Sequence, residues 1–448
     1  MFQKKMKGPV KRILIVSFDA VGTEDLALLK TFPNFKRFFR HAALAERVES
    51  VYPSITYPAH TTIVTGLTPA HHGVVNNYQM QPERFDSPDW MWQRSFVKGP
   101  TLYDAAAEQR GFKVASILWP VTAGAKIKYN APEILANRPW QSQAVECLKA
   151  GSPLFEAALI KRFPHVMDGV NQPNLDNFAM LSALDTQLRF RPDMMLLHLT
   201  DVDTLRHKHG VHSKEATEAL KRHDKRLGEL LAVLSHIENA GSYEDGFPKF
   251  KETAIVLLGD HYQKDIHTMS YPNYYLWKKG YIKVRRDKII DYTAYAQTAD
   301  GACYIYVNHK KGLSAAFMKK LEADIHKMAA HEGFGIQKVF DSGKAAELGA
   351  DPGCAFMLEG KDGYAFGSDY LVPYLPVSQV DSHKKVASHG YLPKDDSYTT
   401  FFGMAGAGVR EGTKLPRMQL IDEGPTIAAL LGIDIGMVDG RVIREALN

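Results

Sequence analysis

The chain has 448 residues, of which 45% are hydrophobic and 23% are charged. Both values are ordinary for a globular protein, and no apolar run is long enough to span a bilayer, so membrane association is not expected. The net charge of +5 is spread along the sequence rather than gathered into one basic segment, which does not favour a nucleic-acid-binding face and leaves a small anionic substrate compatible.

The N-terminal segment, MFQKKMKGPVKR, is basic and lacks the apolar stretch of a secretory signal, so we expect a cytoplasmic protein. Three cysteines, Cys147, Cys303 and Cys354, lie far apart without paired spacing. This spacing favours neither a disulfide framework nor a cysteine zinc site, and we interpret all three as small core residues. No feature of the sequence predicts the oligomeric state.

Short apolar runs alternate with helical patterns along most of the chain. The predicted strands are 12–18 (RILIVSF), 113–119 (KVASILW), 194–199 (MMLLHL) and 254–259 (AIVLLG), and the predicted helices are 101–110, 174–190 and 214–238. Strands that alternate with helices predict an α/β fold, with a doubly wound, mostly parallel sheet flanked by helices.

Residues 266–384 have a different pattern. They begin with what we interpret as aromatic, proline-containing turns (SYPNYYLW), and continue with the strand-like ACYIYV, a long helix near 313–331 and short strands. We predict an inserted, smaller α+β cap subdomain over 266–384 and a main core over 1–265 and 385–448. The segments 398–406 and 421–433 return to that core, and Pro425 marks a helix start in the second of them.

Candidate metal ligands occur at four places, most of them directly after strand-like runs, where ligands bind in an open α/β sheet. They are Asp19 after the first run, Asp203 and His207 after MMLLHL, the adjacent Asp260 and His261 after AIVLLG, and His389 in ASHGY. Singly, each has an ordinary interpretation as a helix cap, a surface pair, a strand end or a turn residue. Together, carboxylates and imidazoles suit zinc or a similar divalent ion.

The segment 53–77 supplies a candidate nucleophile, Thr56. Thr56 lies two residues before Pro58, and the following AHTTIVTG predicts a short helix, so Thr56 lies at or just before a helix N-terminus, which favours a phosphate and a developing alkoxide. The simpler interpretation is that Thr56 caps this helix, but capping alone does not account for the rest of the motif. A threonine hydroxyl needs a base or a metal to remove its proton, and a second ion about 3.5–4 Å away could stabilise the leaving oxygen.

In type and order these motifs resemble the nucleotide pyrophosphatase/phosphodiesterase family, the type I phosphodiesterases of the alkaline phosphatase superfamily. The motifs are Asp19, T-Y-P-x-H-x-x-x-V-T-G-L-x-P-x-x-H-G-x-x-x-N from Thr56, D-x-x-x-H at 203–207, D-H at 260–261, H-G-Y at 389–391, Trp119-Pro120 and DEGPTIAALLG near the end. The similarity covers the chain except most of residues 266–384, and it implies an alkaline phosphatase-like core.

The resemblance also implies a set of site residues. It assigns one divalent ion to Asp203, His207 and His389, and the other to Asp19, Asp260 and His261 together with Thr56. Zinc is the expected ion, with manganese as the alternative. Asn77 would donate to a phosphoryl oxygen, and Tyr57 would form part of a wall against a nucleobase, although core packing accounts for Tyr57 equally well.

Two positions depart from the family pattern and leave the shape of the pocket open. Asp19 is followed by Ala20 where the family often has glycine, and Ala59 stands where asparagine is frequent. Other histidines near the motifs are expected to make structural or outer-shell hydrogen bonds rather than to bind metal. They are His71, His72, His198, His209 and His383.

The predicted function is hydrolysis of a small phosphodiester or phosphoanhydride, such as a nucleotide, through a phosphothreonine on Thr56. No Arg or Lys lies between Thr56 and Asn77 to bind the extra charge of a monoester, and the C/S-x-P-x-R motif of sulfatases does not occur near Thr56. Three alternatives remain: a phosphomonoesterase of the superfamily, a metal-binding protein without turnover, and a phosphonoacetate hydrolase-like enzyme. The last would need cationic side chains to bind a carboxylate, for which the candidates are Lys126, Lys128 and Arg84.

Overall fold

The computed structural model describes residues 10–380 and 385–448. Residues 1–9, which carry most of the N-terminal segment, and His383 lie outside the described residues. The expected cytoplasmic location therefore stays a prediction. Among the helices of the described residues, none combines the length and the apolar character needed to cross a membrane.

A mostly parallel sheet forms the centre of the fold. In spatial order its strands are Met418–Gln419, Ala43–Glu49, Thr400–Gly406, Thr253–Leu258, Arg12–Phe18, Met194–Leu199, Val114–Ile117 and Tyr129–Ala131. All pairings are parallel except the two made by Thr400–Gly406. The predicted strands 12–18 and 194–199 agree with the structure at both ends, and the other two differ by one or two residues.

The central strands are apolar on both sides because helices cover both faces of the sheet. In the first strand, Ile13 and Ile15 pack into one hydrophobic layer, and Leu14 and Val16 pack into the other. The α-helices are Leu26–Leu29, Pro33–His41, Thr56–Thr65, Pro69–His72, Leu102–Ala105, Gln143–Ala150, Pro153–Arg162, Asn174–Phe190, Asp201–His209, Lys214–Glu238, Pro272–Lys278, Ala315–Ala329, Ser342–Glu347 and Glu423–Leu431. The predicted helices 174–190 and 214–238 are confirmed, as is the α/β class of the core.

The segment between residues 264 and 380 builds a second hydrophobic core, which includes Leu276, Ile305 and Leu321. Its strands are Lys264–Ser270, Ile282–Arg285, Lys288–Tyr292, Ala294–Ala299, Ala302–Val307, Ile336–Asp341, Phe356–Gly360, Gly363–Phe366 and Tyr374–Pro376. The predicted long helix near 313–331 is confirmed as Ala315–Ala329. The boundaries of the insert stay a prediction, since the strand Lys264–Ser270 continues past residue 266 and pairs with Ala387–Ser388.

The aromatic segment SYPNYYLW was wrongly interpreted as a series of turns. Pro272–Lys278 is a helix that begins at the proline. Proline is tolerated in the first turn because an N–H there would have no partner within the helix. Leu276 on this helix is fully buried in the second core. Tertiary packing therefore stabilises a helix that the local sequence does not predict.

Candidate metal centre

Three neighbouring parallel strands of the central sheet end at one edge, and the candidate ligands follow them there. Asp19 follows the first strand directly, and Asp260 and His261 lie just beyond the end of its neighbour. The helix that carries Asp203 and His207 follows the third strand. Because parallel strands present their carboxyl ends together, residues distant in sequence meet at this edge.

Asp19, Asp260 and His261 form the first ligand group. The Nε2 atom of His261 lies 3.4 Å from Asp19 Oδ1 and 3.2 Å from Asp260 Oδ2. All three side chains are buried, and neither of these two oxygens has a hydrogen-bond partner within residues 10–380 and 385–448. Buried carboxylate oxygens are costly unless something compensates their charge, so the group fits a bound cation.

Asp203, His207 and His389 form the second ligand group. Asp203 and His207 lie one helical turn apart, and the Oδ1 atom of Asp203 is 3.4 Å from Nε2 of His207 and 3.9 Å from Nε2 of His389. His207 donates its Nδ1–H to the carbonyl of Ala387 at 2.7 Å. This hydrogen bond fixes the tautomer and leaves the Nε2 lone pair available to a metal.

The two ligand groups are adjacent, since the ring centroids of His261 and His389 are 4.2 Å apart. Burial raises the pKa of Asp19, and the nearby Asp260 and Asp203 raise it further. Burial also raises the pKa of Asp260 to about 7 and lowers the pKa of His261 and of His389. Crowded carboxylates beside neutral imidazoles form a donor set that divalent cations would stabilise.

Thr56 is the first residue of the buried helix Thr56–Thr65. Ile55 holds the N-cap position without a side-chain capping bond, so capping is not the role of the Thr56 hydroxyl. That hydroxyl lies 3.2 Å from Nε2 of His261, in the first ligand group. His60, one turn further on, donates its Nδ1–H to the Thr56 carbonyl at 2.9 Å and so holds the start of the helix.

Asn77 and Tyr57 contact each other beside Thr56. The backbone N–H of Tyr57 donates to Oδ1 of Asn77 at 2.9 Å, which leaves the amide nitrogen of Asn77 available to a phosphoryl oxygen. The Tyr57 side chain is 1% exposed, packs against Trp90 at 5.4 Å between ring centroids, and donates its hydroxyl to Glu133 at 3.3 Å. These are contacts of core packing, and a nucleobase-binding role for Tyr57 stays a prediction.

His198 and Glu133 form an outer layer behind Asp19. The Nε2 atom of His198 is 3.1 Å from Asp19 Oδ2, and its Nδ1 is 2.9 Å from Glu133 Oε2. Burial opposes a charge on His198, but its two carboxylate partners raise its pKa above the ordinary value. His198 makes side-chain hydrogen bonds, as expected, and its role in an outer shell of a metal stays a prediction, whereas Glu133 was missed. The one available signal was His198 itself, since a histidine inside the apolar run MMLLHL needs a polar partner.

Ala20, which follows Asp19 and stands where the family often has glycine, has a backbone conformation that suits glycine. Ala20 has φ 58, in the left-handed region. Its N–H donates to Asp260 Oδ1 at 3.1 Å, and its carbonyl accepts from the buried Arg206, which also pairs with Asp25. These contacts hold the loop in a conformation that glycine would adopt more easily. The sequence interpretation missed Arg206, although it lies between Asp203 and His207.

Three of the other histidines lie in ordinary structural surroundings. His71 pairs with Asp439 at 2.7 Å, and His72 contacts the Thr62 hydroxyl at 3.0 Å. Burial lowers the pKa of His72 to about 3. His209 is exposed. None of these three belongs to either ligand group.

The cationic side chains that could bind a substrate carboxylate either have protein partners or are exposed to solvent. Arg84 lies 3.4 Å from Asp89 and donates to the carbonyl of Ser87 at 2.9 Å, which reduces the charge it would offer to a substrate. The exposed Lys128 lies over the ring of Tyr129, 5.6 Å from its centroid. A role for these side chains in substrate binding stays a prediction.

Comparison with known proteins gives one consistent result. The sequence model described as type I phosphodiesterase / nucleotide pyrophosphatase matches residues 13–392. Venom phosphodiesterase 2 of Crotalus adamanteus is 25% identical over 252 residues, which are 52% of this chain and 24% of that protein. Ectonucleotide pyrophosphatase/phosphodiesterase family member 3 of Bos taurus is 26% identical over 264 residues, 56% of this chain and 24% of that protein.

This chain therefore spans about a quarter of the length of these curated relatives. A solved structure of human ectonucleotide pyrophosphatase / phosphodiesterase 5 superimposes with a TM-score of 0.65 at 17% identity. The superposition covers 98% of this chain and 100% of that one. The alkaline phosphatase-like fold expected from the sequence is confirmed by this agreement.

Proposed function

Because this chain belongs to the type I phosphodiesterase / nucleotide pyrophosphatase family, we propose that it is a metal-dependent hydrolase of phosphodiester or phosphoanhydride bonds with Thr56 as its nucleophile. The observation that carries the proposal is the position of the Thr56 hydroxyl, 3.2 Å from Nε2 of His261. Asp19 Oδ1 and Asp260 Oδ2, which have no hydrogen-bond partner among the described residues, lie within 3.4 Å of the same nitrogen. One hydroxyl, one imidazole and two carboxylates form a reasonable ligand set for a divalent ion.

We further propose that each ligand group holds one divalent ion, zinc or manganese, with Thr56 completing the first. Bound ions would favour ionisation of the Thr56 hydroxyl and would offset the charge on the phosphoryl group. Two observations support this assignment: the carboxylate oxygens of the first group that lack a hydrogen-bond partner in the part of the chain that the structure describes, and the fixed His207 tautomer.

In the proposed reaction, Oγ1 of Thr56 loses its proton to solvent and attacks phosphorus in line, the bond to the leaving-group oxygen breaks, and the leaving group takes up a proton from solvent. Asn77 donates its amide N–H to a non-bridging oxygen, since its Oδ1 is already occupied by the backbone N–H of Tyr57. Water then attacks the same phosphorus and releases Thr56. Two successive in-line displacements would retain the configuration at phosphorus overall.

The distribution of charge supports a singly charged diester or anhydride over a monoester. A monoester dianion usually requires an arginine to bind its additional charge. The segment from Thr56 to Asn77 has no Arg or Lys. Lys385, which lies near the second ligand group, is already paired with Asp300 at 3.1 Å and offers no free charge.

Metal analysis followed by turnover of matched substrates tests the proposal. The substrates are a p-nitrophenyl nucleotide diester, p-nitrophenyl phosphate and phosphonoacetate, each assayed with the zinc-loaded and the manganese-loaded protein. We expect two ions per chain and a kcat/KM for the diester at least about tenfold above the others, equivalent to about 1.4 kcal/mol of transition-state binding.

Three outcomes would contradict it. A preference for phosphonoacetate would support carbon–phosphorus hydrolysis, a preference for p-nitrophenyl phosphate would support a monoesterase, and full metal occupancy without turnover would support a binding protein. Asp203→Asn should lose one ion. The exposed Asp287, substituted in the same way, is the matched control and should retain both.

A further inference from the structure

A hairpin of the predicted insert reaches the metal centre. The strands Ala294–Ala299 and Ala302–Val307 are joined by the two-residue turn Asp300-Gly301. Asp300 has φ 60, a left-handed conformation that glycine adopts freely and that costs another residue roughly 1 kcal/mol. Aspartate and asparagine tolerate this conformation better than other non-glycine residues.

This turn interlocks with the loop that carries His389. The N–H of Gly301 donates to the carbonyl of His389 at 2.6 Å. From the other side, a Cβ atom on Gly390 would lie only 2.0 Å from the carbonyl oxygen of Ala299, so the two backbones approach as closely as glycine allows. The hairpin of the insert therefore fixes the position of the His389 backbone.

The Asp300 carboxylate lies behind the His389 ring. Its Oδ2 atom is 3.9 Å from Nδ1 of His389, and its Oδ1 is 3.1 Å from Nζ of Lys385. The first separation exceeds a hydrogen bond, so the interaction in this conformation is electrostatic. The Nδ1 atom is buried and has no hydrogen-bond partner in the part of the chain that the structure describes, whereas Nε2 faces Asp203.

The charge of Asp300 suits this position. Burial alone would raise the pKa of Asp300, but the neighbouring Lys385, 3.1 Å from its Oδ1, lowers it below its ordinary value. The group is therefore a carboxylate at neutral pH. It is the natural acceptor for an Nδ1–H on His389 when Nε2 binds a metal.

Histidines that bind metal usually donate their other N–H to a carboxylate, which fixes the ring and makes the ligand nitrogen more basic. We propose that Asp300 is a positioning residue of the second ligand group, which orients His389 through Nδ1 and is itself held by Lys385. This inference rests on the proposed metal centre. It gives the insert a specific role, since its hairpin supports a candidate ligand that belongs to the core.

The test is Asp300→Gly, which removes the carboxylate and also suits φ 60. Asp287→Gly is the matched control, because Asp287 also has a positive φ, of 58, in another hairpin turn of the insert, and is exposed. The metal-free proteins are titrated with zinc in competition with a chromophoric chelator. We expect Asp300→Gly to weaken the affinity for one of the two ions by about 10–100-fold, and Asp287→Gly to leave both affinities unchanged.

Unchanged affinity of Asp300→Gly for both ions would overturn the inference, as would a melting temperature of the metal-free variant well below that of the control. Asp300→Asn, which tolerates the turn and removes only the charge, should shift the same affinity in the same direction by less. Diester turnover is measured in parallel. A wild-type protein that turns over diesters while Asp300→Gly binds zinc normally would refute only the role of Asp300, whereas a wild type that binds no zinc would refute the metal centre itself.

Discussion

Thr56→Val tests the proposed nucleophile with the least change in shape. Valine keeps the branched side chain at this buried position and removes only the hydroxyl. If Thr56 served the helix alone, turnover would survive the substitution. If Thr56 is the nucleophile, turnover should fall by at least roughly 10³-fold, because removing a nucleophile leaves only the catalysis contributed by binding and by the remaining groups.

The stability of the variant can be bounded from the contacts of the hydroxyl. Its described hydrogen bond is with His261 at 3.2 Å, and a bond of this kind contributes about 0.5–1.5 kcal/mol. No capping bond is lost, because Ile55 occupies the N-cap position. A loss of about 1 kcal/mol leaves a domain of ordinary stability, about 5–15 kcal/mol, almost fully folded. A 10³-fold loss of turnover corresponds to about 4 kcal/mol of activation free energy and so cannot come from unfolding.

The assay combines kcat/KM on a chromogenic diester, ions per chain and thermal unfolding. Thr65→Val is the matched control, since Thr65 lies on the same buried helix and its hydroxyl donates to the carbonyl of Thr61 at 2.7 Å. We expect Thr65→Val to keep turnover at an equal or greater cost in stability, because the Thr65 hydroxyl also accepts from the backbone N–H of Leu67 at 3.2 Å. We expect Thr56→Ser to keep measurable turnover. A Thr56→Val enzyme with more than about a tenth of wild-type kcat/KM, a loss of under about 1.4 kcal/mol, would refute the nucleophile.

Removing the ions with a chelator should abolish turnover and lower the melting temperature, because crowded buried carboxylates lose their counter-charge; zinc should restore both, and turnover by metal-free protein would contradict the mechanism. Asn77→Ala should lower kcat/KM by roughly 10²–10³-fold with the ion count unchanged, as for loss of an oxyanion donor, and an unaltered kcat/KM would exclude that role. Glu423 is buried with both carboxylate oxygens unpartnered among the described residues, and burial raises its pKa well above 4.5. As the pH rises above 4.5, Glu423 ionises in the unfolded chain before it does in the folded one, so the free energy of unfolding of the wild type should fall. The free energy of unfolding of Glu423→Leu, measured by chemical denaturation, should therefore exceed that of the wild type by an amount that grows from pH 4.5 to pH 8. A constant difference between the two proteins would rule this out.

The elements that could be predicted from sequence are those whose local pattern of apolar residues matches their burial in the fold. The strand MMLLHL is an uninterrupted apolar run because it is buried on both faces of a parallel sheet, and its bounds follow directly. The helix Pro272–Lys278 could not be predicted in this way. Its proline and aromatic residues suggest turns, and the burial of Leu276 against residues far along the chain decides the conformation.

The same division holds within the site. The candidate ligands could be picked out from the sequence because each lies within a few residues of a strand end or motif and has metal-binding chemistry. Glu133 and Asp300 were not, because nothing near them in sequence indicates their partners: Glu133 meets His198 and Asp300 meets His389 only through the tertiary fold. Contacts of this kind carry no local sequence signal, even though they lie directly behind the candidate ligands.

Two residues in left-handed backbone conformations show how this site is held. Ala20 follows the ligand Asp19 with φ 58, and Asp300 lies behind the ligand His389 with φ 60. Neither is a glycine, so each conformation costs free energy that neighbouring contacts must offset. Arg206 binds the carbonyl of Ala20, and Lys385 binds the carboxylate of Asp300. Glycine at either position would relieve the backbone, but at residue 300 it would also remove the carboxylate behind His389. A hairpin turn tolerates aspartate in this conformation, as the exposed Asp287 shows with φ 58, so what distinguishes Asp300 is the position of its carboxylate behind His389.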